Sequence, residues 1–117
     1  MRPPGIVHLE LHTNDSGGAI NFLSGLFGWQ AEQIGPYLSV GVGDRVGGGI
    51  IECGAHPPQW VPYVVVDRVD ETTSLARTLG ASVLLEPREG PAGWRSVVTS
   101  QSSGAVALWE LKTGIRR

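Results

Sequence analysis

The sequence predicts an α+β domain made of two β-α-β-β-β units, and three observations carry that reading. Two strand-like runs, Val7-His8-Leu9-Glu10-Leu11-His12 and Val61-Pro62-Tyr63-Val64-Val65-Val66, each open one half of the chain. Each run leads through an acid-bearing turn (Asn14-Asp15, or Asp67 to Asp70) into a helix-like stretch that stops at a glycine, Gly28 or Gly80. A glycine-rich or serine-rich run then enters a closing apolar strand, ending Ile50-Ile51-Glu52 in one half and Leu108-Trp109-Glu110 in the other. Matching positions in a doubled fold are expected to surround one shared cleft. The first copy brings His8, Glu10, His12 and Glu52 to those positions; the second brings Val61, Tyr63 and Glu110.

Residues 6–12 alternate, which in a strand puts Val7, Leu9 and Leu11 on one face and His8, Glu10 and His12 on the other. Asn14 or Asp15 can cap the helix that follows. Ala19, Phe22, Leu23, Leu26 and Phe27 recur at the helical period and predict one buried stripe. Gly17-Gly18 weakens the first turn, so the firm helix is expected from Ala19, and Gly28 suits its left-handed close. Strands are predicted at 30–34, 37–42 and 46–53, turned by Gly35-Pro36 and Gly43-Asp44. The stretch 54–59 contains Pro57-Pro58 and reads as a stiff connector. It separates a unit at 6–53 from a unit at 60–112 within one domain spanning 1–117.

The second unit repeats the order. A Val-rich strand at 60–66 is nearly all apolar, as expected of burial on both sides. Asp70 is predicted to cap a helix whose Leu75, Ala76 and Leu79 form a shorter stripe ending at Gly80. A strand at 82–86, a loop at 87–93 and strands at 94–99 and 104–111 complete the unit. Three consecutive strands with short turns pair as an antiparallel meander in each half.

At 117 residues, 41% hydrophobic and 17% charged, the chain can bury a core and is not composed like a disordered protein. Its formal net charge of -2 gives no basic footprint for nucleic acid, and the longest basic cluster is Arg116-Arg117. No apolar run approaches a membrane span, and Met1 to Gly5 lacks the apolar core of a secretory signal. Cys53, the single cysteine, points to a reducing cytoplasm. Gly41 to Gly47 superficially suggests a phosphate loop, but no Gly-Lys-Ser/Thr ending or helix follows, and a hairpin explains it better. Gly47-Gly48-Gly49 is expected to let two backbones, or a ligand and a backbone, approach closely. Cys53 is read as inert and half-buried, and His56 as solvated.

The doubled order resembles the vicinal oxygen chelate superfamily of glyoxalase I, bleomycin-resistance proteins, fosfomycin-resistance enzymes and extradiol dioxygenases. The resemblance rests on Val7 to Asp15 with Ala19-Ile20-Asn21-Phe22-Leu23 and Leu26-Phe27-Gly28-Trp29. Tyr63 to Asp67, Val69-Asp70, Leu79-Gly80-Ala81, Leu84 to Pro87 and Gly104 to Glu110 extend it through the second unit. It implies curved, mainly antiparallel sheets around a cup-shaped cavity, a small-molecule ligand or substrate, and a homodimer. Metal-dependent members place one ligand on the first and one on the last strand of each unit. By that resemblance His8 and Glu52 match ligand positions in the first unit, while Val61 cannot coordinate and Glu110 is offset from its expected place.

Two functions follow as expectations. One is a binding protein similar to bleomycin-resistance proteins, with no complete metal site, holding a small organic molecule through His8, Glu10, His12, Trp60, Tyr63 and Trp109. The other is a metal-dependent lyase, isomerase or dioxygenase acting on paired oxygens. There His8 and Glu52 would hold zinc, nickel, iron or manganese, with Glu110 or a residue of a partner chain completing the site and Glu52 as the catalytic base. Trp29 and Trp94 are expected to pack in the core or a dimer seam.

Overall fold

A computed structural model of the chain describes residues 4–112. The opening Met1-Arg2-Pro3 and the basic pair Arg116-Arg117, both considered above, lie outside the described residues. The chain divides into two compact units, Val7–Val61 and Met1–Ile6 with Pro62–Arg117.

The first unit runs β1 (Ile6–Thr13), α1 (Ser16–Phe27), β2 (Ala31–Ile34), β3 (Tyr37–Val40) and β4 (Gly47–Glu52). β2, β3 and β4 form an antiparallel meander, and β4 lies parallel to β1 with His8 opposite Gly47 and Thr13 opposite Glu52. The glycine-containing segment before β4 is thus a hairpin connection, as read from its sequence. Leu11, Leu23, Val40 and Ile50 form the core, with Ala19, Ile20, Trp29, Leu38 and Val42 packed around them. α1 therefore covers the sheet face that carries Leu11, and the alternating residues His8, Glu10 and His12 occupy the opposite face.

Helix α1 begins at Ser16, three residues earlier than its glycines suggested. Asp15 accepts from the Gly18 N–H at 2.9 Å, which satisfies a donor of the first turn and offsets the glycine cost. Gly28 closes the helix at φ 74, and its N–H donates to the Ser24 carbonyl. The buried stripe is narrower than expected. Ala19, Ile20 and Leu23 meet the core, while Phe22, Leu26 and Phe27 are exposed at 66%, 58% and 56%.

The second unit follows the same plan: β5 (Gln59–Val65), α2 (Val69–Thr78), β6 (Ser82–Glu89), β7 (Gly93–Ser100) and β8 (Gly104–Leu111). β6, β7 and β8 are antiparallel, and β8 runs parallel to β5 with Tyr63 opposite Ala107. α2 buries Val69 and Thr73, and its Ala76 packs on Val98 and Leu108. That i, i+4, i+7 series replaces the expected stripe, since Leu75 and Leu79 are exposed. The polar member fits because the Thr73 hydroxyl donates to the Val69 carbonyl at 2.6 Å and lies 2.7 Å from that of Ser96. Pro87 falls inside β6, not in a loop, where the pairing with β7 is irregular between Leu85 and Arg88.

Candidate functional site

β1 places three polar side chains in a row on the sheet face away from α1, and the structure joins them. Glu10 is 7% exposed and lies between two imidazoles. His12 Nε2 is 2.9 Å from Glu10 Oε1, and His8 Nε2 is 3.4 Å from Glu10 Oε2. An ionised carboxylate only accepts, so His12 donates to it from Nε2. Pairing of this kind offsets the desolvation of a buried carboxylate.

Tyr37 completes the row from β3, a residue that its sequence context did not single out. Its hydroxyl donates to the Gly48 carbonyl at 3.3 Å and lies 3.3 Å from His8 Nε2, with the two rings stacked at 6.5 Å. The glycines of β4 make this arrangement possible. A Cβ on Gly49 would collide with the Tyr37 hydroxyl, and one on Gly47 would sit 2.8 Å from His8 Nδ1. What approaches Gly47 and Gly49 is thus the pair of side chains from β1 and β3, while Val42 packs over Gly48. Burial raises the Tyr37 pKa, with a further upward push from the Glu10 charge.

The second unit also presents a face turned from its helix. Tyr63 is buried, and its hydroxyl accepts from Arg95 Nη1 at 3.0 Å. Trp109 pairs with Arg95 across β7 and β8, which puts it on the same face. Arg95 was not singled out either, because it is an isolated charge 32 residues from the hydroxyl that it binds.

The strand-end carboxylates have other partners. Glu52 accepts from the Ser16 N–H at 3.1 Å and from its hydroxyl at 2.9 Å. Those two bonds hold its pKa below the usual carboxylate range, against smaller opposing effects of desolvation and Asp15. Glu110 accepts from the Val69 N–H at 2.9 Å. Each therefore closes the N-terminus of the helix in its own unit. Asp70, expected to cap α2, lies inside its first turn, and the preceding Arg68 makes no side-chain cap.

This corrects the ligand set drawn from the resemblance. His8 is opposite Gly47 and Glu52 is five residues further along β4, a separation of about 16 Å at strand rise. Glu110 shares the α2 side with Leu108. Among the described residues, no group of three or more His, Cys, Asp or Glu side chains is arranged to hold a metal ion. Within the first unit His8 and Glu52 as placed do not fit a shared metal centre, and Glu52 is not positioned as a base beside the His8 row.

Trp60 also departs from expectation. It alternates with Val61 along β5, so it points to the face opposite Tyr63, and its ring meets Trp29 edge-on at 6.4 Å. Trp94 packs against the second unit's core. Cys53 is exposed, not half-buried. His56 is exposed on the connector. Among the described residues no helix is long and apolar enough to cross a membrane.

No family model matches the chain. A protein named "Putative glyoxylase CFP32", from Mycobacterium bovis and from Mycobacterium tuberculosis, is 29% identical over 114 residues, covering 87% of this chain and 44% of its own length. The chain thus spans less than half the length of these curated relatives. Among solved structures, a glyoxalase/bleomycin resistance protein/dioxygenase superfamily member from Vibrio splendidus superposes with a TM-score of 0.61 at 12% identity, covering 94% of this chain and 100% of the other. The Mn(II)-bound glyoxalase from Novosphingobium aromaticivorans gives 0.61 at 15% identity, covering 90% of this chain and 38% of the other. The chain shares its doubled β-α-β-β-β fold with these solved structures, and its sequence is similar to part of the mycobacterial proteins named as putative glyoxylases.

Proposed function

We propose that this domain binds a small organic molecule on the sheet face of the first unit turned away from α1, without a metal held by His8 and Glu52. The observation that carries the reading is the joined row Tyr37, His8, Glu10 and His12 on the sheet face away from α1. Gly47 and Gly49 leave room for those rings, at a cost in strand propensity, while the intervening Gly48 makes room for Val42 of the core. On the second unit Tyr63, Arg95 and Trp109 offer a hydroxyl, a cation and an indole for ligand contact. A ligand carrying carbonyl or carboxylate oxygens suits the row on the first unit. The relatives named as glyoxalases support a small oxygen-bearing ligand.

The test is a thermal-shift screen of small carbonyl and carboxylate metabolites against the wild-type domain, Tyr37→Phe and His12→Gln. The expected result is a ligand that stabilises the wild type and loses most of that effect in both variants. Equal stabilisation of all three proteins overturns the assignment. Stoichiometric metal in protein purified without chelator, lost in His8→Ala, would instead favour a metal-dependent lyase, isomerase or dioxygenase.

A further inference from the structure

A second cavity lies on the other side of the first unit, and its walls are unlike the polar row. It is an open groove of about 520 Å³, within the size range of small-molecule sites. Its walls include Leu11 at the end of β1, Phe22 on α1, His56 on the connector and Trp60 on β5, with Asn14 and Asp15 at its polar edge. Leu11 alternates with His12 along β1, so this cavity opens on the α1 side of the sheet and is separate from the His8 face. Phe22 and Trp60 are 66% and 41% exposed, far more than large rings in a settled core. Trp60 is nevertheless held in place, edge-on to Trp29, which in turn lies 4.9 Å from Phe27.

The electrostatics of the polar edge select the ligand's charge. Asp15 Oδ1 accepts the Gly18 N–H, and the Asp15 carboxylate is part of the cavity lining. Glu52 sits on the adjacent Ser16, and no Lys or Arg lines the cavity. A helix N-terminus carries about half a positive charge, so two carboxylates over-neutralise it. Asp15 also opposes ionisation of Glu52, an influence smaller than the Ser16 hydrogen bonds but a sign that the two charges feel each other. Aromatic walls beside a net negative edge suit a flat ring that bears a cation.

We infer that the cavity between α1 and the connector is a binding site for a small planar aromatic amine, its ring against Phe22 and Trp60 and its ammonium at Asp15. The site is independent of the ligand face proposed above. Three indole probes test it by calorimetry at about pH 8, above the ordinary imidazole range: tryptamine, uncharged 3-methylindole and indole-3-acetate. Tryptamine should bind tightest and indole-3-acetate weakest. Asp15→Asn retains a carbonyl oxygen for the helix cap and should weaken tryptamine by about two- to fivefold while sparing 3-methylindole, the range for an exposed ion pair. Phe22→Ala, at an exposed ring, should weaken all three probes, with folding of both variants checked by circular dichroism. No binding of any probe, equal affinities for the three, or an amine preference that survives Asp15→Asn would each overturn the site.

Discussion

Glu52 takes two hydrogen bonds from Ser16, one from its N–H and one from its hydroxyl, and thereby ties the end of β4 to the start of α1. The bonds need the carboxylate ionised, which is why its pKa is depressed in the fold. A depressed carboxylate contributes stability above its unfolded pKa and loses it as the pH falls through the folded value. Glu52→Gln should therefore flatten the acid limb of the stability curve below the usual carboxylate pKa and leave its neutral-to-alkaline shape unchanged. Urea unfolding at a series of pH values checks this.

Glu110 repeats the arrangement in the second unit, where the Val69 N–H is its partner. Because Arg68 supplies no side-chain cap to α2, Glu110→Ala should cost about 1 kcal/mol of stability. The loss should be the same with and without chelator in the unfolding buffer. A chelator-dependent loss would return Glu110 to the role of metal ligand.

Gly49 and Tyr37 occupy one space. Gly49→Ala puts a methyl where the Tyr37 hydroxyl lies, and the rigid ring must leave its bonds to Gly48 and His8. Overpacking of this kind costs about 1–3 kcal/mol. Tyr37→Ala in the same chain should recover part of that loss, and a double-mutant cycle by thermal unfolding reads the coupling.

Thr73 and Ser96 give an asymmetric pair. The Thr73 hydroxyl donates to the Val69 carbonyl, so Ser96 is the donor to Thr73. Ser96→Ala removes that donor and should cost about 1 kcal/mol. Thr73→Val strands a buried Ser96 hydroxyl and should cost more, about 1–3 kcal/mol. Denaturant unfolding of the two variants and their combination checks the order.

The repeat and the polar row were legible because both are local. Period-two alternation puts His8, Glu10 and His12 together whatever the rest of the chain does. Tyr37 and Arg95 were not legible, since their partners lie 29 and 32 residues away. The triple glycine was the one available trace of Tyr37, and it does not say which side chain fills the space. Glu52 and Glu110 looked like ligands because sequence gives a carboxylate at a strand end but not its partner. The competing principle was helix capping, which takes an acceptor from a neighbouring strand when the cap residue does not supply enough. On α2 the apolar residues Leu75 and Leu79 lost to Val69, Thr73 and Ala76, because Ser96 made a polar position buriable.

The central claim is that the face carrying Tyr37, His8, Glu10 and His12 meets a ligand. The direct measurement is nitrogen-15 NMR of the His8 and His12 imidazoles while a small carbonyl or carboxylate ligand from the screen is titrated in. The account predicts that both ring signals move and saturate with the ligand, with His12 Nε2 protonated in the free protein. Saturating binding that leaves both rings unmoved would contradict it.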